Sequence, residues 1–94
     1  MKANAKEQRI ELGDCIVVDP AICHGKPTYK GTRIMVWQVL AMLERGESWE
    51  HIRQAWPGRI SDEAIAETIR LARCSLLDEH GRLMNEPVGA LAGK

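Results

Sequence analysis

Between about Asp14 and Leu77, apolar positions recur first with strand-like and then with helix-like spacing, and outside that span they do not. The run Cys15-Ile16-Val17-Val18 is rich in β-branched side chains and is bounded by Asp14 and by Asp19-Pro20. That pattern predicts a short strand closed by a turn. A second extended piece is expected at Pro27–Lys30, just before Gly31. The two can pair as a ribbon, which is marginal in water on its own.

From Ile34 the spacing changes. Val36, Val39, Leu40 and Leu43 fall at i, i+3, i+4 and i+7, one face of a helix, and Gly46 beyond Arg45 is the expected stop. Trp37, Ala41 and Met42 widen the stripe, so this helix is expected to meet two neighbours. Ser48 is a good cap for a short second helix, Trp49–Ala55, with Trp49, Ile52 and Trp56 turned inward and Pro57-Gly58 ending it. Ser61 caps a third helix whose Asp62 and Glu63 complement the positive end of the helix dipole. Ile65, Ile69, Ala72 and Leu76 form its expected buried face, and it should fade between Asp78 and Gly81. Residues 1–13 read as a flexible arm, 14–78 as the folded domain and 79–94 as a flexible tail. The fold class is mainly α: a short N-terminal β-ribbon, then three helices, the last two joined by a tight turn as in a helix-turn-helix.

Composition narrows the options. The 94 residues are one domain's worth. A unit of this size buries only roughly 60% of its unfolded surface, so disulfides, a metal or a second copy commonly supplement the core. The three cysteines, Cys15, Cys23 and Cys74, contain no C-x-x-C pair, which argues against a zinc ribbon or a redox pair. The first twelve residues hold no apolar signal-like core, and no run approaches the roughly 18 apolar residues of a membrane span. A cytoplasmic protein with free thiols is expected. Thirteen basic and thirteen acidic side chains cancel, so any nucleic-acid role needs local clustering of charge.

Such a cluster exists. Residues 24–35 contain His24, Lys26, Lys30 and Arg33 and no acid, interleaved with Thr28, Tyr29 and Thr32. The functional reading is contact with phosphate or with an acidic partner surface. The structural reading is a turn-rich connector, with Gly25 and Gly31 supplying positive φ, Pro27 fixing φ, and Arg33 pairing with Asp14 or Asp19. The two are compatible. The order G-K-P-T-Y-K-G-T does not fit a phosphate-binding P-loop.

The segments DPAICHGKPTYKGTRIMV (19–36), WQVLAMLERGESWEHI (37–52) and WPGRISDEAI (56–65) together resemble the prokaryotic family called domain of unknown function 433, DUF433. The resemblance covers roughly Cys15 to Arg73, and GKPTYKGTR at Gly25–Arg33 is its most specific part. The chain departs from the family pattern at Cys23-His24, where a glycine commonly precedes Gly25. The resemblance implies a homeodomain-like trihelical fold. It also implies an antitoxin role in two-gene, type II toxin–antitoxin systems, opposite a PIN-like ribonuclease toxin, and it supplies no catalytic residue.

In a helix-turn-helix the second helix of the pair reads bases with its N-terminal residues. Here that end carries Asp62 and Glu63, which phosphates repel, whereas Arg59 lies in the turn and Arg70 and Arg73 lie further along, on a face interrupted by Glu63 and Glu67. If DNA is bound, the basic ribbon and Arg59 are the favoured contacts. Trp37 and Met42 are the candidate interface residues for a homodimer or partner protein. Leu83, Met84, Val88 and Leu91 of the tail could dock in a toxin groove on binding. Enzyme readings fare poorly, because Cys23-His24 is only adjacent in sequence and Cys15, Cys23 and His24 match no common metal spacing. No metal or cofactor is expected. With no Phe, the tryptophans are expected to supply most of the aromatic core. The resulting expectation is an antitoxin-like binding protein that neutralises a PIN-like toxin, with its own promoter DNA as a candidate second partner. The alternative is a stand-alone helix-turn-helix regulator without a toxin.

Overall fold

The structure is a computed structural model, and it describes residues 8–78 and 80–83. The expectations for residues 1–7, for Glu79 and for the tail residues 84–94 lie outside the described residues. Three short strands, β1 (Ile10–Glu11), β2 (Ile16–Val18) and β3 (Thr28–Tyr29), precede three helices, α1 (Val36–Glu44), α2 (Trp49–Ala55) and α3 (Asp62–Leu76). The strands form one antiparallel sheet in the order β1-β2-β3. Ile16 faces Tyr29 and Val17 faces Thr28 across the β2–β3 pair, while Ile10 and Glu11 lie against Val18 and Val17. Because side chains alternate across a sheet, Ile16 and Tyr29 enter the main core and Val17 and Thr28 are buried on the opposite side.

The sheet has one strand more than the expected ribbon, and Ile10–Glu11 belong to it rather than to a flexible arm. Both residues of β1 are exposed. Apart from the contact of Glu11 with Lys30, backbone pairing holds this edge strand, and it leaves no alternation of apolar and polar residues to be read.

The helices start and stop where their capping residues dictate. Ser48 Oγ accepts the His51 N–H at 3.0 Å and Ser61 Oγ accepts the Ala64 N–H at 3.1 Å. The side chain of Gln38 accepts the Met35 N–H at 2.9 Å, which satisfies the entry to α1. Gly46, at φ 83°, ends that helix. α3 touches β2, α1 and α2, so it is the spine against which everything else packs.

The buried faces differ from those expected. On α1 they are Val36, Val39 and Met42, with Leu40 exposed and Leu43 only half-buried. Met42, expected at an interface, is 9% exposed and belongs to the core cluster. On α2 only Ile52 is buried; Trp49 is 39% exposed and Trp56 half-buried. On α3 the buried face is Ala64, Ile65, Glu67 and Thr68, whereas Ile69, Ala72 and Leu76 are exposed. Lengths explain the last case. The 15 residues of α3 span roughly 22 Å, while the three residues of β2 span about 10 Å. The sheet covers only the first half of the helix. The aromatic at the centre is not a tryptophan but Tyr29, 2% exposed. No helix among the described residues is long and apolar enough to cross a membrane.

Two polar links join the sheet to α3. The Glu67 carboxylate, 4% exposed, accepts the Asp14 N–H at 3.1 Å and the Cys15 N–H at 2.9 Å, and Arg70 lies 3.5 Å from it. Gly13 makes this approach feasible, since a Cβ there would sit 2.6 Å from the carboxylate carbon. In the second link, Thr68 Oγ1 donates to the Ala64 carbonyl at 2.8 Å, so its lone pair is what the Tyr29 hydroxyl donates to at 2.6 Å. Burial, the main cause, pushes the Tyr29 phenol up to about 12, with Cys15 and Glu67 adding to the shift.

Two predictions follow from these links. Glu67→Ala is expected to lower stability by about 3 kcal/mol, and Gly13→Ala by about 1–3 kcal/mol through crowding. In denaturant melts the cost of Gly13→Ala should largely vanish in the Glu67→Ala background, because the clash needs the carboxylate. Tyr29 is the only tyrosine, so phenolate absorbance in an alkaline titration reports it alone. Its folded value of about 12 lies above the unfolded value of about 10. The stability it contributes is therefore complete below the unfolded value and lost as pH climbs through that interval. The native phenol should ionise together with unfolding, and Tyr29→Phe should flatten the fall in melting temperature over the same range.

Candidate functional site

The connection from β2 to α1 is built from two tight turns. In the first, the Asp19 carboxylate accepts the Ala21 N–H at 2.9 Å and its carbonyl accepts the Ile22 N–H at 2.9 Å. Cys23, His24 and Gly25 then follow at φ 50°, 58° and 83°, three successive left-handed residues. They close on themselves through Gly25 N–H to Ile22 O at 3.0 Å and Lys26 N–H to Cys23 O at 3.1 Å. Left-handed backbone at two side-chain-bearing residues stores strain that the surroundings must hold in place. The Cys23 thiol, 3.6 Å from the Arg33 carbonyl, is one such tie. In the second turn, Thr32 Oγ1 donates to the Tyr29 carbonyl at 2.8 Å and accepts the Ile34 N–H at 2.9 Å. Gly31 adopts φ 77° at the corner. These bonds set Arg33 on the surface at a defined place.

Arg59 arrives from the α2–α3 connection, where Gly58 is left-handed and the Arg59 N–H bonds the Trp56 carbonyl at 3.0 Å. Arg33 and Arg59 line an open cleft of about 430 Å³, walled also by Ile22, Gly31 and Thr32. They also line a second cleft continuous with it, which includes Gln38, Trp56 and Pro57. Among the described residues neither arginine has a carboxylate partner, so the expected pairing of Arg33 with Asp14 or Asp19 is not made.

The other candidate cations are dispersed. Lys30 is 3.2 Å from Glu11, a partner supplied by the unforeseen strand β1. Arg70 leans on Glu67. Arg73 is exposed in the last turn of α3. Lys26 borders an apolar depression with Pro27, Val36, Trp37 and Leu40. Of the six predicted cationic residues, the fold therefore brings Arg33 and Arg59 to one cleft and leaves Lys26 at the edge of another. Glu67, read as an interruption of a basic face, is instead a buried structural acceptor.

Trp37 keeps its place as an interface candidate. It is 56% exposed, with its indole N–H 3.3 Å from the Met35 sulfur. Two residues not expected at the surface site join it. Gln38 was not singled out, and Trp56 was assigned wholly to the core; a half-buried indole next to a turn gives no sequence signal of its open side.

All three cysteines are free thiols, and Cys15 is pushed above the usual thiol range, first by burial and then by Glu67, Asp14 and Glu63, against Lys30. Such a thiol is a poor nucleophile. Among the described residues no group of three or more His, Cys, Asp and Glu is arranged to hold a metal. At the start of α3, Asp62 is tied to Arg53 of α2, and Glu63 is exposed beside it.

Comparison with known proteins gives one family and one curated relative. The chain is 37% identical over 59 residues to the uncharacterized protein y4eO of Sinorhizobium fredii (strain NBRC 101917 / NGR234), a stretch that covers 63% of this chain and 24% of that protein. The chain thus spans about a quarter of the length of the curated relative it matches. No solved structure matches it. The profile of the family described as "Protein of unknown function (DUF433)" matches residues 16–72, from the first residue of β2 to the last third of α3. The chain belongs to the DUF433 family.

Proposed function

We propose that this protein is an antitoxin-like binding module that neutralises a PIN-like ribonuclease toxin by covering its surface. The observation that carries the reading is the outer face of α1, which the described residues leave exposed. Trp37 and Leu40 are exposed on a chain with little apolar surface to spare, and Lys26 stands at their edge. A rigid aromatic anchor in an apolar patch with a charged rim is the usual composition of a protein-binding hot spot. Arg33, which has no carboxylate partner among the described residues, adds charge suited to an acidic, metal-binding ribonuclease centre. Lys30 drops out of this role because Glu11 already neutralises it. Inhibition would be by occlusion, with no chemistry asked of the chain.

The second reading is a homeodomain-like helix-turn-helix regulator that binds promoter DNA without a toxin. What favours it is the α2–α3 pair, with Arg59, which has no carboxylate partner among the described residues, in its connection and Arg73 further along α3. What weighs against it is the acidic start of α3, the end that would enter the major groove.

Co-expression with the product of the adjacent gene, followed by co-purification, tests the first reading. A PIN-like ribonuclease is expected to co-purify and to be silenced. Trp37→Ala should weaken the complex at least roughly tenfold, as loss of an aromatic anchor does, with the circular dichroism of the free chain unchanged. A ribonuclease held equally well by the variant would remove this face from the mechanism. A chain that instead shifts its upstream duplex with a steep salt dependence would support the regulator.

A further inference from the structure

We propose that the Arg33–Arg59 cleft and the Trp56 wall beside it bind single-stranded nucleic acid, a phosphodiester on the guanidinium pair and a base on the indole. This goes beyond the toxin-facing surface: it shares Arg33 with that surface but adds Arg59, Gln38 and Trp56, for a ligand of a different class.

Charge comes first. Arg33 and Arg59 come from sequence-distant turns, converge on one cleft, and have no ion pair among the described residues. On a chain of zero formal charge, with Lys30, Arg45, Arg53 and Arg70 each beside a carboxylate, this is a local excess. None of the residues lining this cleft or the one continuous with it is acidic. Two planar guanidinium groups facing one opening match the geometry of a phosphate oxyanion.

The continuation of the cleft adds what a base requires. Trp56 packs against the core on one side, which makes it a fixed platform, and lines the second cleft on the other. Gln38, also in that cleft, spends its carbonyl oxygen on the Met35 N–H. Its amide NH₂ is therefore left to donate to a base edge. A positive groove followed by an aromatic platform is the common design of single-strand binding, with stacking worth several-fold to a hundredfold in affinity per base.

Shape excludes a duplex here. Reading a major groove requires a protruding helix or ribbon, whereas Arg33 and Arg59 line a concave cleft. Asp62 and Glu63 follow the Arg59 turn at the exposed start of α3, and two acids there disfavour the denser phosphate charge of a duplex. An acidic peptide would satisfy the arginines but gain nothing from a flat indole, so a nucleic acid fits the whole surface better.

The full chain should be titrated with fluorescein-labelled oligodeoxythymidine and oligouridine of about ten nucleotides, with a duplex of the same length, and with polyglutamate as competitor. At low salt both single strands are expected to raise anisotropy and quench tryptophan fluorescence; a difference between them reports only a preference for one sugar. Arg33→Ala with Arg59→Ala should weaken binding at least roughly tenfold. It should also reduce the slope of log affinity against log salt by roughly 0.7, the contribution of one phosphate contact on a single strand. Restoring lysine at both positions should recover most of the slope, and Arg9→Ala, at an exposed arginine 3.8 Å from Glu11, should change neither quantity. Trp56→Leu, which keeps an apolar contact with the core, should weaken binding without altering the slope. The proposal is overturned by absence of single-strand binding at low salt, by an unchanged affinity in the double arginine variant, by tighter binding of the duplex, or by polyglutamate competing as well as the oligonucleotide.

Discussion

A nearly buried carboxylate has to be answered by hydrogen-bond donors, because leaving it bare in the interior costs far more than the fold's margin of stability. In this protein the carboxylate is Glu67, and the donors are the amides of Asp14 and Cys15 at the entry to β2. That single constraint sets the rotation of α3 about its axis. With Glu67 turned to the sheet, Ala64, Ile65 and Thr68 follow it inward, and Thr68 meets Tyr29. Ile69 and Leu76, more apolar than Glu67 by any scale, are turned outward by the same rotation. The sheet is likewise held where it can receive α1, since Tyr29 and Ile16 share the core with Val36 and Val39.

The consequence for function is a division of the surface. α3 serves as an internal spine and begins with two acids, so it is poorly suited to meeting phosphate. On the proposed reading, recognition falls to the outer side of α1 and to the β2–α1 and α2–α3 connections, which meet at one cleft. Those connections are the most tightly specified non-helical parts of the chain. Strained left-handed residues at Cys23 and His24, and the Thr32 side chain bridging Tyr29 and Ile34, fix the base from which Arg33 extends. Loops that carry binding residues on a rigid scaffold commonly show this combination of exposure and internal bonding. Membership of the DUF433 family is consistent with such an arrangement, since the matched region includes both connections and the helices that support them.

Element by element, much of this was legible beforehand. Ser48, Ser61, Gly46 and Pro57-Gly58 are local signals, acting through hydrogen bonds and backbone angles within a few residues, and the helices begin and end at them. The β2–β3 ribbon was legible for the same reason, from β-branched residues between turn formers. Edge strand β1 was not, because pairing with a backbone requires no particular side chains. Of the candidate site, Arg33 and Arg59 were visible as cations outside regular structure. Their convergence was not, for it joins residues from connections separated by two helices.

Local order, capping and turn chemistry were thus determined by the amino-acid sequence alone, since each depends on neighbours within one or two turns of chain. Which helix faces are buried, which aromatic forms the core and which cations remain unneutralised were decided only by tertiary structure. Apolar periodicity would have placed Ile69, Ala72 and Leu76 beside Ile65 in the interior of α3. A carboxylate seeking two amides across the molecule, and a sheet too short to cover the whole helix, chose otherwise.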